Sequence, residues 1–349
     1  MDLFSTYSDR ISKFTFIDLF CGIGGFHRGM ESHGGQCVFA SDIDTECQKS
    51  YQLNYNQFVD GDITKIDPSS IPDHDILCAG FPCQPFSVSG KQKGFEDTRG
   101  TLFFNVLEII RAKRPKIVFL ENVKQLKYHD SGKTLNVIMQ CLEEEGYQVS
   151  WKVLNAKNFG LAQNRERIVI IASQTSKFDF DSLETQPQTT IADILDKDGD
   201  FEYLDQSDYT ILPENLWKKQ ETGLIFCGYR NKTIRVNGTR PNTEHLSRVH
   251  KQPNRIYYIK GTHPTIPSQE TSGRFFVYDG ERVRKLTIGE CYKLMGFPES
   301  HQRASKLGNQ YRQIGNSVAV PMIQAVAEQI VAQFLDKDKV EDKEKVEYV

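Results

Sequence analysis

The 349-residue chain is 38% hydrophobic and 26% charged, which is an ordinary globular composition, and at roughly 150 residues per domain it is long enough for about two domains. Lys and Arg number 43 against 46 Asp and Glu, a formal net charge of −3; a polyanion would have to be held by a local basic surface, which argues against a histone-like protein. No apolar run approaches the roughly 18 residues of a membrane-spanning helix, and residues 1–14 have neither a basic n-region nor an apolar h-region, so a cytoplasmic protein without a membrane partner is expected.

Cys21, Cys37, Cys47, Cys78, Cys83, Cys141, Cys227 and Cys291 include no C-x-x-C pair. That suits reduced thiols better than a disulfide frame or a zinc site, and no metal is expected. From residue 14 to about 172, short β-rich runs alternate with helical patterns, which predicts an α/β fold with a parallel sheet covered by crossover helices. Strands are expected at 14–20, 38–41, weakly near Phe58, and at 76–79, 117–120, 149–154 and 168–172. Helices are expected at 101–111 and 134–145, the second stopped by Gly146. Residues 178–208 are acidic and poor in periodic apolar residues, so a domain boundary falls near there.

Residues 229–260 then hold eight basic residues, Arg230, Lys232, Arg235, Arg240, Arg248, Lys251, Arg255 and Lys260, against the single acid Glu244. The result is a local excess of seven positive charges, on loops and short strands. Amphipathic helix returns at 287–295 and 317–335, and residues 336–349 read as a frayed or disordered charged tail.

The first predicted strand runs through Asp18-Leu19-Phe20 into Cys21-Gly22-Ile23-Gly24-Gly25-Phe26. Glycines at a strand-to-helix turn let a ligand approach the backbone and the helix N-terminus. His27 stands where a dinucleotide fingerprint needs its third glycine, which disfavours a nicotinamide or flavin enzyme. Polar residues then recur at successive strand ends, where the ligand crevice of an open α/β sheet lies. Asp42 suits the two hydroxyls of a ribose, Asp62 an exocyclic amine, and Gly61 and Ile63 the edge and face of an adenine. Pro82-Cys83 follows the fourth strand and Glu121-Asn122 the fifth. No P-loop lysine motif is present, so the expected ligand has an adenosine part and needs no phosphate cradle.

In Gly80-Phe81-Pro82-Cys83-Gln84-Pro85 two prolines stiffen the loop that carries a thiol. A thiol is the side chain closest to useful ionisation near neutral pH, and Glu121 is its evident acidic companion. A thiol, a carboxylic acid and an adenosine-bearing cofactor suit carbon methylation of a pyrimidine. Addition of a thiolate at carbon 6, with an acid at ring nitrogen 3, turns carbon 5 into an enamine carbon able to take a sulfonium methyl.

With these residues the chain resembles the bacterial C5-cytosine DNA methyltransferases from residue 16 to about 330. The matching blocks are Asp18 to Phe26, Gly80 to Ser87, Glu121-Asn122-Val123, Gln163-Asn164-Arg165-Glu166-Arg167, Arg284-Lys285-Leu286-Thr287 through Gly296-Phe297-Pro298, and Gly308 to Val318. The resemblance implies a Rossmann-like S-adenosylmethionine fold, with Cys83 as nucleophile, Glu121 on the flipped cytosine, and Arg165 and Arg167 holding its carbonyl and the reacting geometry. It implies S-adenosylmethionine as cofactor, lined by Phe20, Gly22, Gly24, Asp42, Ile43, Asp62, Ile63, Pro82, Leu102, Asn316, Ser317 and Val318. Ile43 occupies a position that is often aromatic in the family, which leaves adenine stacking mainly to Phe20. Residues 89–100 resemble a loop that closes over DNA, with Ser89 at the gap and Lys91 and Arg99 on phosphates.

Because duplex DNA hides the target carbon, a second, DNA-facing domain is required. The expected arrangement is a catalytic domain of residues 1–180 and 310–335 and a target-recognition domain of 181–309. Phosphate or base contacts are expected from Arg230, Arg235, Arg240 and Lys251, with Asn231, Asn237 and Arg274 as further candidates. The resemblance points to a monomeric bacterial enzyme at the nucleoid that acts on double-stranded DNA, paired in function with a restriction endonuclease. Competing readings are methylation of tRNA, a catalytically silent DNA-binding module, and an oxidoreductase.

Overall fold

In a computed structural model of the protein, residues 13–82, 102–232 and 242–336 are described. Cys83, Ser89, Lys91, Arg99, Arg235, Asn237, Arg240 and the tail beyond residue 336 lie outside the described residues. The chain divides into two compact units. The first comprises Met1–Leu154, Glu166–Glu184 and Val318–Val349, the second Asn155–Arg165 and Thr185–Ser317. These bounds differ from those expected at 155–165 and 310–317, both of which fall in the second unit. There the buried Arg165 ties the two segments together, donating from Nη2 to the carbonyl oxygens of Gly315 and Ser317.

The first unit holds β1 (Phe14–Leu19), α1 (Gly25–Glu31), β2 (Gly35–Ser41), α2 (Thr45–Tyr55), β3 (Ile76–Ala79), α3 (Leu102–Lys113), β4 (Ile117–Val123), α4 (Lys133–Glu144) and β5 (Gln148–Asn155). After the two-residue β6 (Gln163–Asn164) of the second unit comes β7 (Glu166–Ser173), which returns to the first. The sheet order is β2-β1-β3-β4-β7-β5, with β1, β2, β3 and β4 parallel and β7 antiparallel to β4. The strands read as unbroken apolar runs because both faces are covered: every residue of β3 is buried, as are the first six of β4. Gly146, at φ 85, lies just beyond α4, where the sequence predicts the stop.

The strand predicted near Phe58 does not form. Asn56, left-handed at φ 49, caps α2, and the following chain makes only one bridge, Asp60 to Ser41, while Phe58 stays 69% exposed. From this edge the chain crosses to β3 on the other side of β1. The order reversal puts the topological switch point, and hence the ligand crevice, at the carboxyl ends of β1 and β3.

The second unit contains α5 (Ile191–Ile194), β8 (Tyr209–Ile211), β9 (Lys218–Lys219), β10 (Ile225–Arg230), β11 (Arg255–Tyr258), β12 (His263–Pro264), β13 (Phe276–Tyr278), β14 (Val283–Lys285), α6 (Ile288–Lys293) and α7 (Leu307–Asn316). Its sheet, β14-β13-β11-β10-β8 with β9 on β10, packs around Cys227, Ile256, Phe276 and Val283, and β12 pairs separately with β6. The short strands of the basic stretch follow from its loop-forming composition. A buried bidentate pair, Arg284 to Glu290 at 2.7 and 2.9 Å, joins β14 to α6.

The helix predicted over 317–335 begins later, as α8 (Val320–Ile330) of the first unit. Pro321, which has no N–H to donate, fits its first turn and marks the start. By length and composition Leu307–Leu335 would suffice to cross a membrane. It consists, however, of two helices broken at residues 317–319, and α8 buries Val320, Met322, Ile323, Val326, Ala327 and Ile330 as a core face.

Candidate active site

At the end of β1 the backbone turns sharply, with Phe20, Gly22 and Gly24 at φ 56, 54 and 84. A left-handed φ disfavours side chains, which explains the two glycines; Phe20 keeps its side chain there and packs it on the core. The Gly22 N–H donates to Asp42 Oδ2 at 2.8 Å and the Asp44 N–H to Oδ1 at 2.8 Å. The carboxylate expected at a ribose therefore also holds the glycine turn. Burial raises its pKa, and the two N–H bonds oppose that rise. A Cβ placed on Gly22 or on Gly61 would meet no atom within 4 Å, and Ile43 beside them is 72% exposed. Open backbone next to an acceptor and an exposed apolar side chain fits an adenosine.

Asp62 accepts from the Thr64 N–H and hydroxyl at 3.1 and 2.8 Å, which lowers its pKa. Ile63 packs into the core rather than standing free, Leu102 is half-buried at the start of α3, and Pro82 is exposed. Val318 reaches the same end of the sheet: a Cβ on Gly80 would lie 3.9 Å from Val318 Cγ1 and 4.0 Å from Glu121 Oε2.

Glu121 sits in β4 opposite Val169, and Val123 opposite Arg167. Side chains two residues apart on a strand share a face, so Glu121 and Arg167 are diagonal neighbours. They meet at 3.1 Å from Arg167 Nε to Glu121 Oε1, with side chains 11% and 9% exposed. Burial lowers the Arg167 pKa, and the Glu121 carboxylate raises it. The next residue, Asn122, donates from Nδ2 to the Phe81 carbonyl oxygen at 2.8 Å. That bond fixes the backbone two residues before Cys83, and sequence reasoning gave Asn122 no such role. Its sequence signal was an amide directly after Glu121 in an otherwise apolar strand, IVFLENV.

In the second unit, Arg165 is 1% exposed and donates to the carbonyl oxygens of Ile266, Gly315 and Ser317 at 3.2, 2.9 and 2.6 Å. The structure thus separates two arginines that sequence reasoning paired. Arg165 holds its own unit's backbone, whereas Arg167 faces Glu121. Asn316 is exposed at the end of α7 and Ser317 is buried.

Among the basic candidates, Lys251 is exposed, and the Arg230 guanidinium lies 4.7 Å above the Phe276 ring. Asn231 spends its amide on Ser207 and Thr210, so it shapes a turn. Arg274 is held by the buried Glu270 at 2.9 Å.

A mostly parallel sheet whose switch point suits an adenosine, with a buried carboxylate near Gly80, fits a cofactor-dependent methyltransferase. The chain belongs to the C-5 cytosine-specific DNA methylase family, whose model matches residues 14–332. It is 42% identical to the type II methyltransferase M.NlaX of Neisseria lactamica, over 91% of this chain and 96% of that one. With M.HhaI of Haemophilus parahaemolyticus it shares 38% identity, over 91% and 94%. The S. pombe Dnmt2 methyltransferase has the same fold, with a TM-score of 0.66 at 20% identity over 92% of this chain and 99% of that one. The protein is a DNA (cytosine-5)-methyltransferase, and its family and fold imply use of S-adenosylmethionine.

Proposed function

We propose that the protein methylates carbon 5 of a flipped cytosine within one short sequence of duplex DNA, through a covalent bond from Cys83 to carbon 6. The observation that carries this reading is the buried Glu121–Arg167 pair beside Gly80, the start of the Pro82-Cys83 loop. Phe20, Gly22, Gly24, Asp42, Ile43, Asp62, Pro82, Leu102 and Val318 would hold S-adenosylmethionine, which would supply a methyl group on a sulfonium. Glu121 in its acid form donates its proton to ring nitrogen 3 and accepts from the exocyclic amine with its other oxygen, which draws electrons from the ring as the Cys83 thiolate adds to carbon 6. Arg167 steadies the Glu121 carboxylate through Nε and offers its remaining N–H groups to the cytosine carbonyl. The carbon 5 enamine would take that methyl as the sulfonium carbon–sulfur bond breaks and S-adenosylhomocysteine leaves; loss of the carbon 5 proton to a base and return of the nitrogen 3 proton to Glu121 then restore the ring and expel the Cys83 thiolate. Arg165 is a positioning residue that holds 266 and 315–317 together; Asn316 and Ser317 belong to the segment it ties.

The second unit serves as the target-recognition domain, with Lys251 on phosphates and Arg230, Arg235 and Arg240 as further DNA contacts. Ser89, Lys91 and Arg99 belong to a loop that closes on DNA. The enzyme acts as a cytoplasmic monomer and protects host DNA against a cognate endonuclease; for the last part the support is that its relatives are named type II methyltransferases. Incubation with S-adenosylmethionine and long unmethylated duplex DNA, followed by base-resolution mapping of 5-methylcytosine, tests it. Modification confined to one short sequence is expected. Intact cofactor binding with no DNA methylation would favour RNA as substrate or a silent binder.

A further inference from the structure

The segment from Asp42 to the end of α2 grips the glycine turn at two points. Asp42, just ahead of the helix, holds the Gly22 N–H. Tyr55, its last residue, donates its hydroxyl to the Gly24 carbonyl oxygen at 2.8 Å. That oxygen also accepts the Arg28 N–H at 3.0 Å, the first bond of α1. The Tyr55 ring fills the space a Gly24 Cβ would need and stacks on His27 at 3.9 Å and 18°. His27 Nδ1 lies 2.7 Å from the Tyr51 hydroxyl, which donates to the fully buried Asp18 at 3.2 Å. An aromatic and polar stack therefore backs the turn from one side, while its other side is open beside Gly22.

We propose that Tyr55 is a positioning residue for the cofactor, its hydroxyl locking the Gly24 peptide so that the turn is preformed for S-adenosylmethionine. This rests on the reading that the cofactor lies at the open side of that turn. The physical argument concerns glycine. Gly22 and Gly24 reach positive φ without steric cost, but they leave it as easily, so a turn with three left-handed residues needs external anchors to stay populated. A binding-competent conformer that is only partly populated weakens apparent affinity by that fraction. Tyr55 itself touches backbone, not ligand.

The test is titration calorimetry of S-adenosylhomocysteine into the full-length wild type, Tyr55→Phe and Asp42→Ala, with melting temperatures and amide hydrogen exchange of each protein free of cofactor. For Tyr55→Phe, the expected result is a Kd weakened roughly two- to tenfold, on the scale of a net hydrogen bond, with the Arg28 side chain also losing its hydroxyl partner. Faster exchange at residues 22–26 should accompany it, and the methylation defect should fall on KM for S-adenosylmethionine rather than on kcat. The melting temperature should stay close to wild type, because the ring and its stack on His27 remain. Wild-type affinity and exchange in Tyr55→Phe would overturn the proposal, as would a lowered melting temperature with unchanged affinity, which would make the hydroxyl a packing group only. If Asp42→Ala binds as tightly as the wild type, the location of the cofactor is wrong, and that failure is distinct from the first.

Discussion

Cys83 and Glu121 make different demands on the same base, and their variants separate accordingly. Cys83→Ala should abolish methyl transfer yet bind S-adenosylhomocysteine like the wild type in calorimetry; residual turnover with normal product would overturn the covalent route. Glu121→Gln keeps a hydrogen-bonding side chain but loses the acid, and kcat should fall about 10²- to 10⁴-fold, the range of a positioned acid or base. Since Arg167 acts partly through Glu121, at 3.1 Å, the double variant Glu121→Gln with Arg167→Ala should cost less than the product of the single effects, as measured by a kcat double-mutant cycle. The motif blocks gave Cys83 and Glu121 separate expected roles and gave Arg165 and Arg167 one shared role. The difference between Arg165 and Arg167 was not legible there, because two residues apart on one segment they end in different units and point to different partners.

Elements in this protein are held by polar groups at their ends as much as by apolar faces. Glu290 shows this within the second unit: it pairs with Arg284, accepts the Thr287 N–H as part of a capping box, and accepts the Asp196 N–H. Glu290→Ala would leave the Arg284 guanidinium buried and unpaired, and removal of one partner of such a pair costs about 3–5 kcal/mol. A lower urea midpoint with an unchanged slope is the expected signature. The predicted elements 76–79 and 149–154 match observed strands closely because their apolar and β-branched runs are local signals. The strand near Phe58 failed because its partner edge was used at one residue only, a fact of pairing rather than of propensity.

Across the whole molecule, two buried histidines make folding sensitive to acid. Burial lowers the pKa of His27 in the first unit to about 3 and that of His263 in the second to about 4, from 6.5 in an exposed histidine. The folded state thus binds fewer protons than the unfolded one between those values. The stability from keeping both rings neutral is complete above about pH 6.5 and is lost as pH falls toward 4 and then 3. Thermal melts should show this decline, and His27→Gln should flatten it. DNA binding should respond to salt through the basic stretch: Lys251→Ala is expected to weaken affinity and reduce the salt slope by about one, and an unchanged slope would remove Lys251 from the phosphate surface. The sequence by itself determined the α/β class, the motif order and the methyltransferase family, since these reside in local patterns and residue types. Only the tertiary structure decided that Asp42 also holds the glycine turn, that Asn122 holds the Phe81 carbonyl, and that Arg165 ties residues 155–165 to 315–317. Each of these is a hydrogen bond between residues distant in the chain, and no local propensity encodes which buried carbonyl or amide a side chain will meet.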